Sequence, residues 1–128
     1  MLEAIKSFDK AATDWLEMRD EKMTEDELED LYRLRSLNDQ IMLLERVFLL
    51  DGGLPGREYH RHILFSPMKN NIYGGAAFPG ISDLLFDLDT LSGEEKIQRR
   101  KEIQKHLSDI MIILRQAASW LTTSELEI

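Results

Sequence analysis

This sequence predicts an all-α fold: a four-helix bundle with one long ordered crossover loop over about residues 51–80. Three observations lead there. On both sides of the middle, apolar residues recur at spacings of three and four, the period of a helix buried along one face. The chain has 128 residues, enough for one domain with its own core, taken as residues 1–128. Between Asp51 and Gly80 the pattern stops, and DGGLPGREYHRHILFSPMKNNIYGGAAFPG holds six of the seven Gly, all three Pro, four aromatics and two of the three His. Pro removes an amide donor and Gly favours unusual backbone angles, so no helix runs through this stretch. Its aromatics and the run Ile63, Leu64, Phe65 give it something to bury, which a disordered linker lacks.

The first helix is expected over about Leu2–Arg19, with Ile5, Phe8, Ala12 and Trp15 on one face. A charged turn follows. Thr24 and Glu27 have capping-box spacing, in which each side chain can satisfy the other residue's free amide. The second helix is expected over about Glu25–Leu50, with the stripe Leu34, Leu37, Ile41, Leu44 and Phe48. After the loop, Ile81–Asp89 reads as a short helix and Gly93 as a break. Ser92 is a candidate cap for the last helix, about Gly93–Leu121, and Glu94 and Glu95 suit the positive end of its dipole. Its stripe is Ile103, Leu107, Ile110, Leu114, Ala117 and Leu121. Ile41–Leu44 and Ile110–Leu114 are apolar on every side, more than one buried face needs. That excess predicts a homodimer with Ile41, Leu44, Ile110 and Leu114 on or beneath its interface.

Composition excludes several functions. Lys plus Arg number 16 against 24 Asp plus Glu, a formal charge of -8, which disfavours nucleic acid as a partner. The basic cluster Arg99-Arg100-Lys101 lies among Glu94, Glu95 and Glu102 and reads as a solvated helix face. There is no Cys, so disulfide scaffolding and thiol chemistry are excluded. The apolar runs are too short to span a bilayer and the N-terminus lacks the pattern of a signal peptide, so no membrane contact is expected from this chain. His60 and His62 would share a face of a strand, but no third ligand stands at metal-site spacing. Asp83, Asp87 and Asp89 read as solvating a short helix, with Asp83 near its positive end. No triad, phosphate loop or dinucleotide motif occurs, so neither catalytic residue nor metal nor cofactor is expected in this chain.

One ordered set of motifs goes further than pattern. LNDQIMLLERVF over Leu37–Phe48 is followed by GLP at Gly53–Pro55, RHILFSP over Arg61–Pro67, and NIYGGAAFPGI over Asn71–Ile81, which leads into DLLFDL. In order and spacing these resemble the C-terminal helical domain of the family that includes glutamate carboxypeptidase II, prostate-specific membrane antigen and the transferrin receptor. That domain is called the transferrin-receptor-like dimerisation domain. The likeness is dense over Leu37–Leu88 and continues more weakly through both terminal helices, where RQAASWL is similar to the family's closing helix.

The resemblance implies an excised, non-enzymatic domain of a zinc-dependent carboxypeptidase. In such peptidases a separate protease-like domain of the same protein binds zinc and carries the catalytic base, while the helical domain builds the homodimer. It also implies a membrane-anchored parent with an extracellular or vacuolar/luminal domain. The helical domain lends a loop, here residues 70–80, to the substrate pocket. In glutamate carboxypeptidase II that loop reads NKYAG, and its Lys and Tyr hold a substrate carboxylate. Tyr73 matches the Tyr, but Ile72 stands where the Lys would be. An ammonium can pair with a carboxylate in a partly dry pocket and Ile cannot, so the departure argues against selectivity for a C-terminal glutamate. The alternatives are a non-catalytic, transferrin-receptor-like parent whose helices bind proteins, and a stand-alone helical adaptor.

Overall fold

A computed structural model describes residues 1–22 and 28–122, with every side chain among them except those of residues 21, 22, 28–30 and 71–76. The elements are α1 (Leu2–Lys22), α2 (Leu28–Val47), β1 (Phe65–Met68), β2 (Asn71–Ala77), α3 (Pro79–Leu85), a 3-10 turn at Leu88–Thr90, and α4 (Gly93–Thr122). The all-α class is as predicted. The crossover stretch contains something the sequence did not announce, a two-stranded antiparallel hairpin of β1 and β2. The expected capping box of Thr24 and Glu27 lies outside the described residues.

The chain divides into two compact units. One consists of Leu2–Val47 together with α4 from Ile113 onward. Its core is Ala11, Trp15, Leu37, Ala118 and Leu121, with Phe8, Ala12, Met18 and Leu44 packed against it. On α1 the most buried residues are Ala4, Ala11 and Trp15; of the expected stripe Trp15 is buried, while Ile5, Phe8 and Ala12 flank that line half-buried. The small Ala4 and Ala11 on that line allow a neighbouring helix close approach. On α2, Leu37 is buried, Leu34 and Leu44 are half-buried, and Ile41 is exposed. The inward position beside Leu37 and Leu44 belongs instead to Gln40. Its Oε1 accepts the Trp15 Nε1–H at 2.6 Å, and its Nε2 donates to the Trp120 carbonyl at 2.7 Å. A single amide thereby ties α1, α2 and α4 together.

The other unit consists of Phe48–Ile112 with Met1. Helix α2 ends at Val47, three residues before the expected Leu50. The reason is pairing: Phe48 C=O accepts the Ile63 N–H at 3.0 Å, Leu50 N–H donates to Arg61 C=O at 2.8 Å, and Leu49 and His62 form an antiparallel bridge. Backbone groups committed to the returning loop cannot continue a helix. Between these partners the chain makes successive tight turns, with Leu54 and Ile63 as buried anchors. Gly53 is required by one of them: its φ is 77°, and a Cβ there would lie 2.5 Å from the Glu58 backbone. Helix α3 starts at Pro79, two residues before the expected Ile81, because Pro suits the first turn and Phe78 precedes it in a left-handed conformation, φ 54°. Just before α4 the Glu95 carboxylate reaches back to Ser92, accepting its hydroxyl at 2.9 Å and its N–H at 3.3 Å. Glu95 thus satisfies the free amide, while the Ser92 hydroxyl donates to the carboxylate rather than accepting a helix amide as expected of a cap. Glu94 and Glu95 occupy its first turn. Among the described residues, no helix is long and apolar enough to cross a membrane.

Candidate functional site

The sequence singles out Ile72 and Tyr73, and the structure places both on β2. Their side chains lie outside the described part, but the backbone register is informative. Phe65 pairs with Ala77, Ser66 with Ala76 and Pro67 with Gly75, yet Met68 pairs with Asn71. Regular pairing would set Pro67 opposite residue 72. Instead Ile72, Tyr73 and Gly74 are surplus, extruded at a register break between Pro67 and Met68. Bulges of this kind bend a strand and re-aim what it carries, and they concentrate beside functional sites.

A buried ion pair braces this hairpin. Arg57 leaves the turn after Leu54 and meets Asp83 of α3, Nη2 to Oδ2 at 2.7 Å, with the two side chains only 10% and 5% exposed. The two atoms are at ion-pair distance but not aligned as a hydrogen bond, so the attraction is mainly between charges. Arg57 Nη1 donates to the Pro67 carbonyl at 2.5 Å, and Asp83 Oδ1 accepts the Lys69 N–H at 3.0 Å. Asp83 is thus no solvating carboxylate, contrary to the sequence reading. Asp87 departs from that reading too. It pairs with Arg99 at 2.5 Å, and the Arg99 hydrogen bond holds its carboxyl below the usual range. Arg99 Nη1 also donates to Leu84 C=O at 3.0 Å, capping the end of α3. Of the basic cluster, only Arg100 and Lys101 are free to act as a solvated face.

A cleft of about 270 Å³ opens beside the brace, lined among others by Gly56, Lys69, Asn70, Asp83, Phe86 and Arg99. The exit of the hairpin is held differently. A Cβ at Gly80 would approach His106 Nε2 to 2.2 Å, so α3 begins against the His106 ring. His106 is 1% exposed, and neither ring nitrogen has a hydrogen-bond partner among the described residues. Burial pushes its pKa down, partly offset by Asp109.

Of the two loop histidines, His62 serves the turn. His62 Nδ1 accepts the N–H groups of Leu64 and Phe65 at 3.2 and 3.1 Å, and its ring lies 5.7 Å from Phe48 and 5.5 Å from Phe65. That local turn explains why Ile63 is fully buried while Phe65 is 71% exposed. His60 is exposed. Of the four expected interface residues, Ile41 is 41% exposed and Leu44 half-buried, whereas Ile110 and Leu114 are closed off inside the chain. The latter two can only underlie a contact surface. Gln40, Arg57, Asp83 and His106 were not picked out as a set by sequence. The sole signal was a polar residue on an apolar stripe, at Gln40 and His106.

Comparison with known proteins agrees with the motifs. The profile of the transferrin receptor-like dimerisation domain matches residues 1–122. The probable glutamate carboxypeptidase VP8 of Zea mays is 38% identical over 74 residues, 57% of this chain and 10% of that protein. The probable glutamate carboxypeptidase LAMP1 of Arabidopsis thaliana is 32% identical over 71 residues, 53% of this chain and 10% of the relative. Aminopeptidase NAALADL1 of Rattus norvegicus is 33% identical over 93 residues, 72% of this chain and 12% of that protein. The chain therefore spans about a tenth of the length of these curated relatives.

Proposed function

Because the chain belongs to the transferrin receptor-like dimerisation domain family, we propose that it builds the homodimer of a glutamate-carboxypeptidase-like zinc metallopeptidase. In the same reading it presents residues 70–80 to the substrate pocket of a protease-like domain in that protein. The chain itself carries no catalytic role. Zinc belongs to the protease-like domain, where it would act as Lewis acid and activate water.

The observation that carries the pocket role is the extruded segment Ile72–Tyr73–Gly74 on a braced hairpin. A segment that only joined two helices would need neither a register break nor a buried brace. Tyr73 supplies a hydroxyl for hydrogen bonding and a ring for packing, and Ile72 supplies apolar surface, so the pocket suits an uncharged C-terminal side chain. Association is assigned to the exposed apolar face of α2, where Ile41 and Met42 are 41% and 65% exposed. Leu44 packs against the core beneath that face, and Ile110 and Leu114 are buried on α4.

Sedimentation tests the association. The chain should dimerise at about 10⁻⁴ M, roughly -5.5 kcal/mol, and Ile41→Asp should leave it monomeric with its fold intact. A wild-type chain that stays monomeric at that concentration, or an Ile41→Asp dimer of unchanged affinity, counts against this face.

A further inference from the structure

We infer that the Arg57–Asp83 pair is a positioning device that fixes the Ile72–Tyr73–Gly74 bulge relative to α3, an inference that rests on the bulge facing a substrate. A buried pair is a poor means of stabilisation: removing two charges from water costs several kcal/mol per ion, and well-packed apolar replacements of similar volume are often neutral or better. What such a pair does supply is a defined arrangement of the segments it joins.

The contacts define that arrangement. Arg57 holds β1 at the Pro67 carbonyl, the last residue before the register break. Asp83 holds the Lys69 amide, just past it. The pair therefore grips β1 on both sides of Met68, opposite the point where β2 extrudes its three surplus residues. Pro67 cannot donate a hydrogen bond, so its carbonyl is the group left to hold there. The guanidinium reaches that carbonyl with one nitrogen and the carboxylate with another, which a lysine ammonium on a flexible stem cannot reproduce. Because Asp83 sits on α3, the strand opposite the bulge is tied to a helix and not only to its partner strand.

The test uses Arg57→Met combined with Asp83→Leu in the full chain. The double variant should fold, with α4 amides exchanging as in the wild type, while amides from Lys69 to Gly75 exchange about tenfold faster. Unchanged exchange in that segment overturns the inference. If the double variant does not fold, Arg57→Lys serves: it should speed exchange of the same amides by about threefold, and no change again overturns the inference. In the longer peptidase carrying this chain, the double variant should raise KM for a peptide substrate about fivefold with kcat unchanged. Faster hairpin exchange with an unchanged KM would support the brace but sink the substrate-facing reading of the bulge, so the two failures are distinguishable. A fall in kcat at constant KM would overturn the positioning role.

Discussion

Replacing Gln40 with leucine tests the polar tie at the centre of the α1–α2–α4 core. Leucine is close in volume, so no large cavity opens and the effect isolates hydrogen bonding. The substitution strands the Trp15 indole N–H, which donates to Gln40 at 2.6 Å, and frees the Trp120 carbonyl, which accepts the Gln40 Nε2–H at 2.7 Å. A second, longer bond to the Leu121 carbonyl at 3.4 Å is also lost. The Trp120 Nε1–H donates to the Gln40 main-chain carbonyl at 2.9 Å and survives. An orphaned buried donor costs about 1–3 kcal/mol. Losing the bond to the Trp120 carbonyl adds about 1 kcal/mol, and burying leucine where an amide stood returns roughly that amount. The net expectation is a loss of about 2 kcal/mol.

For 128 residues, the unfolding entropy is about 270 cal/mol/K, so the melting temperature should fall by about 7 °C. Urea unfolding should show a lower midpoint with an unchanged slope. The double variant Gln40→Leu with Trp15→Phe removes both partners. It should cost about 1 kcal/mol less than the sum of the two single changes, because neither partner is then left unpaired. A Gln40→Leu protein that melts within about 1 °C of the wild type would refute the assignment of Gln40 as a structural tie.

Further outcomes follow from the other contacts. Gly80→Ala should destabilise the chain by about 1–3 kcal/mol, because its Cβ would lie 2.2 Å from the buried His106 ring, and His106→Ala should recover much of that loss; chemical denaturation of both variants checks it. His106 has its pKa lowered by burial, so the unfolded chain takes up the proton first; stability should be full above about pH 6.5 and fall below it by at most about 1.4 kcal/mol per pH unit, and His106→Leu should flatten a melting-temperature-against-pH curve. Arg99→Ala, which removes the cap on Leu84 and the partner of Asp87, should fray α3, seen as faster exchange of its amides with α4 unaffected. In the peptidase proposed to carry this chain, Ile72→Lys should shift kcat/KM toward substrates ending in glutamate over leucine by about tenfold; a wild type that already prefers glutamate, with no gain on substitution, would disconnect Ile72 from specificity.

Helices were legible because periodicity reports burial directly. The boundaries that moved did so for tertiary reasons. Val47 ends α2 because Phe48 and Leu50 pair with Ile63 and Arg61, and nothing in the local sequence specifies those partners. Pro79 opens α3 because Phe78 accepts a left-handed conformation, which the FPG sequence permits but does not demand. Ile110 and Leu114, expected at or beneath an interface, were legible as apolar, but their burial within the chain was not. Apolarity on all sides of a helix can mean burial by its own chain as readily as by a second copy. Asp83 and Asp87 looked alike in sequence, two acids four apart on a short helix. They are distinguished only by which cation the fold brings to each, Arg57 or Arg99.

The same distinction bears on how a long crossover can hold a fixed shape without a core of its own. Among the described residues of the crossover, Leu54, Ile63 and Pro79 are the fully buried anchors, and directional contacts add to them. His62 folds the turn at Leu64, and Arg57 and Asp83 grip β1, while the His106 ring packs against the start of α3. Directional contacts fix geometry while adding little net stability, because each exchanges water for a protein partner. A segment built this way should be well shaped but easily opened, and its opening energy should be well below that of α4. That combination suits the proposed role, in which the segment presents Ile72 and Tyr73 to a substrate and adjusts to it. It also explains why one substitution at Arg57 should loosen the hairpin much more than it lowers the stability of the helices.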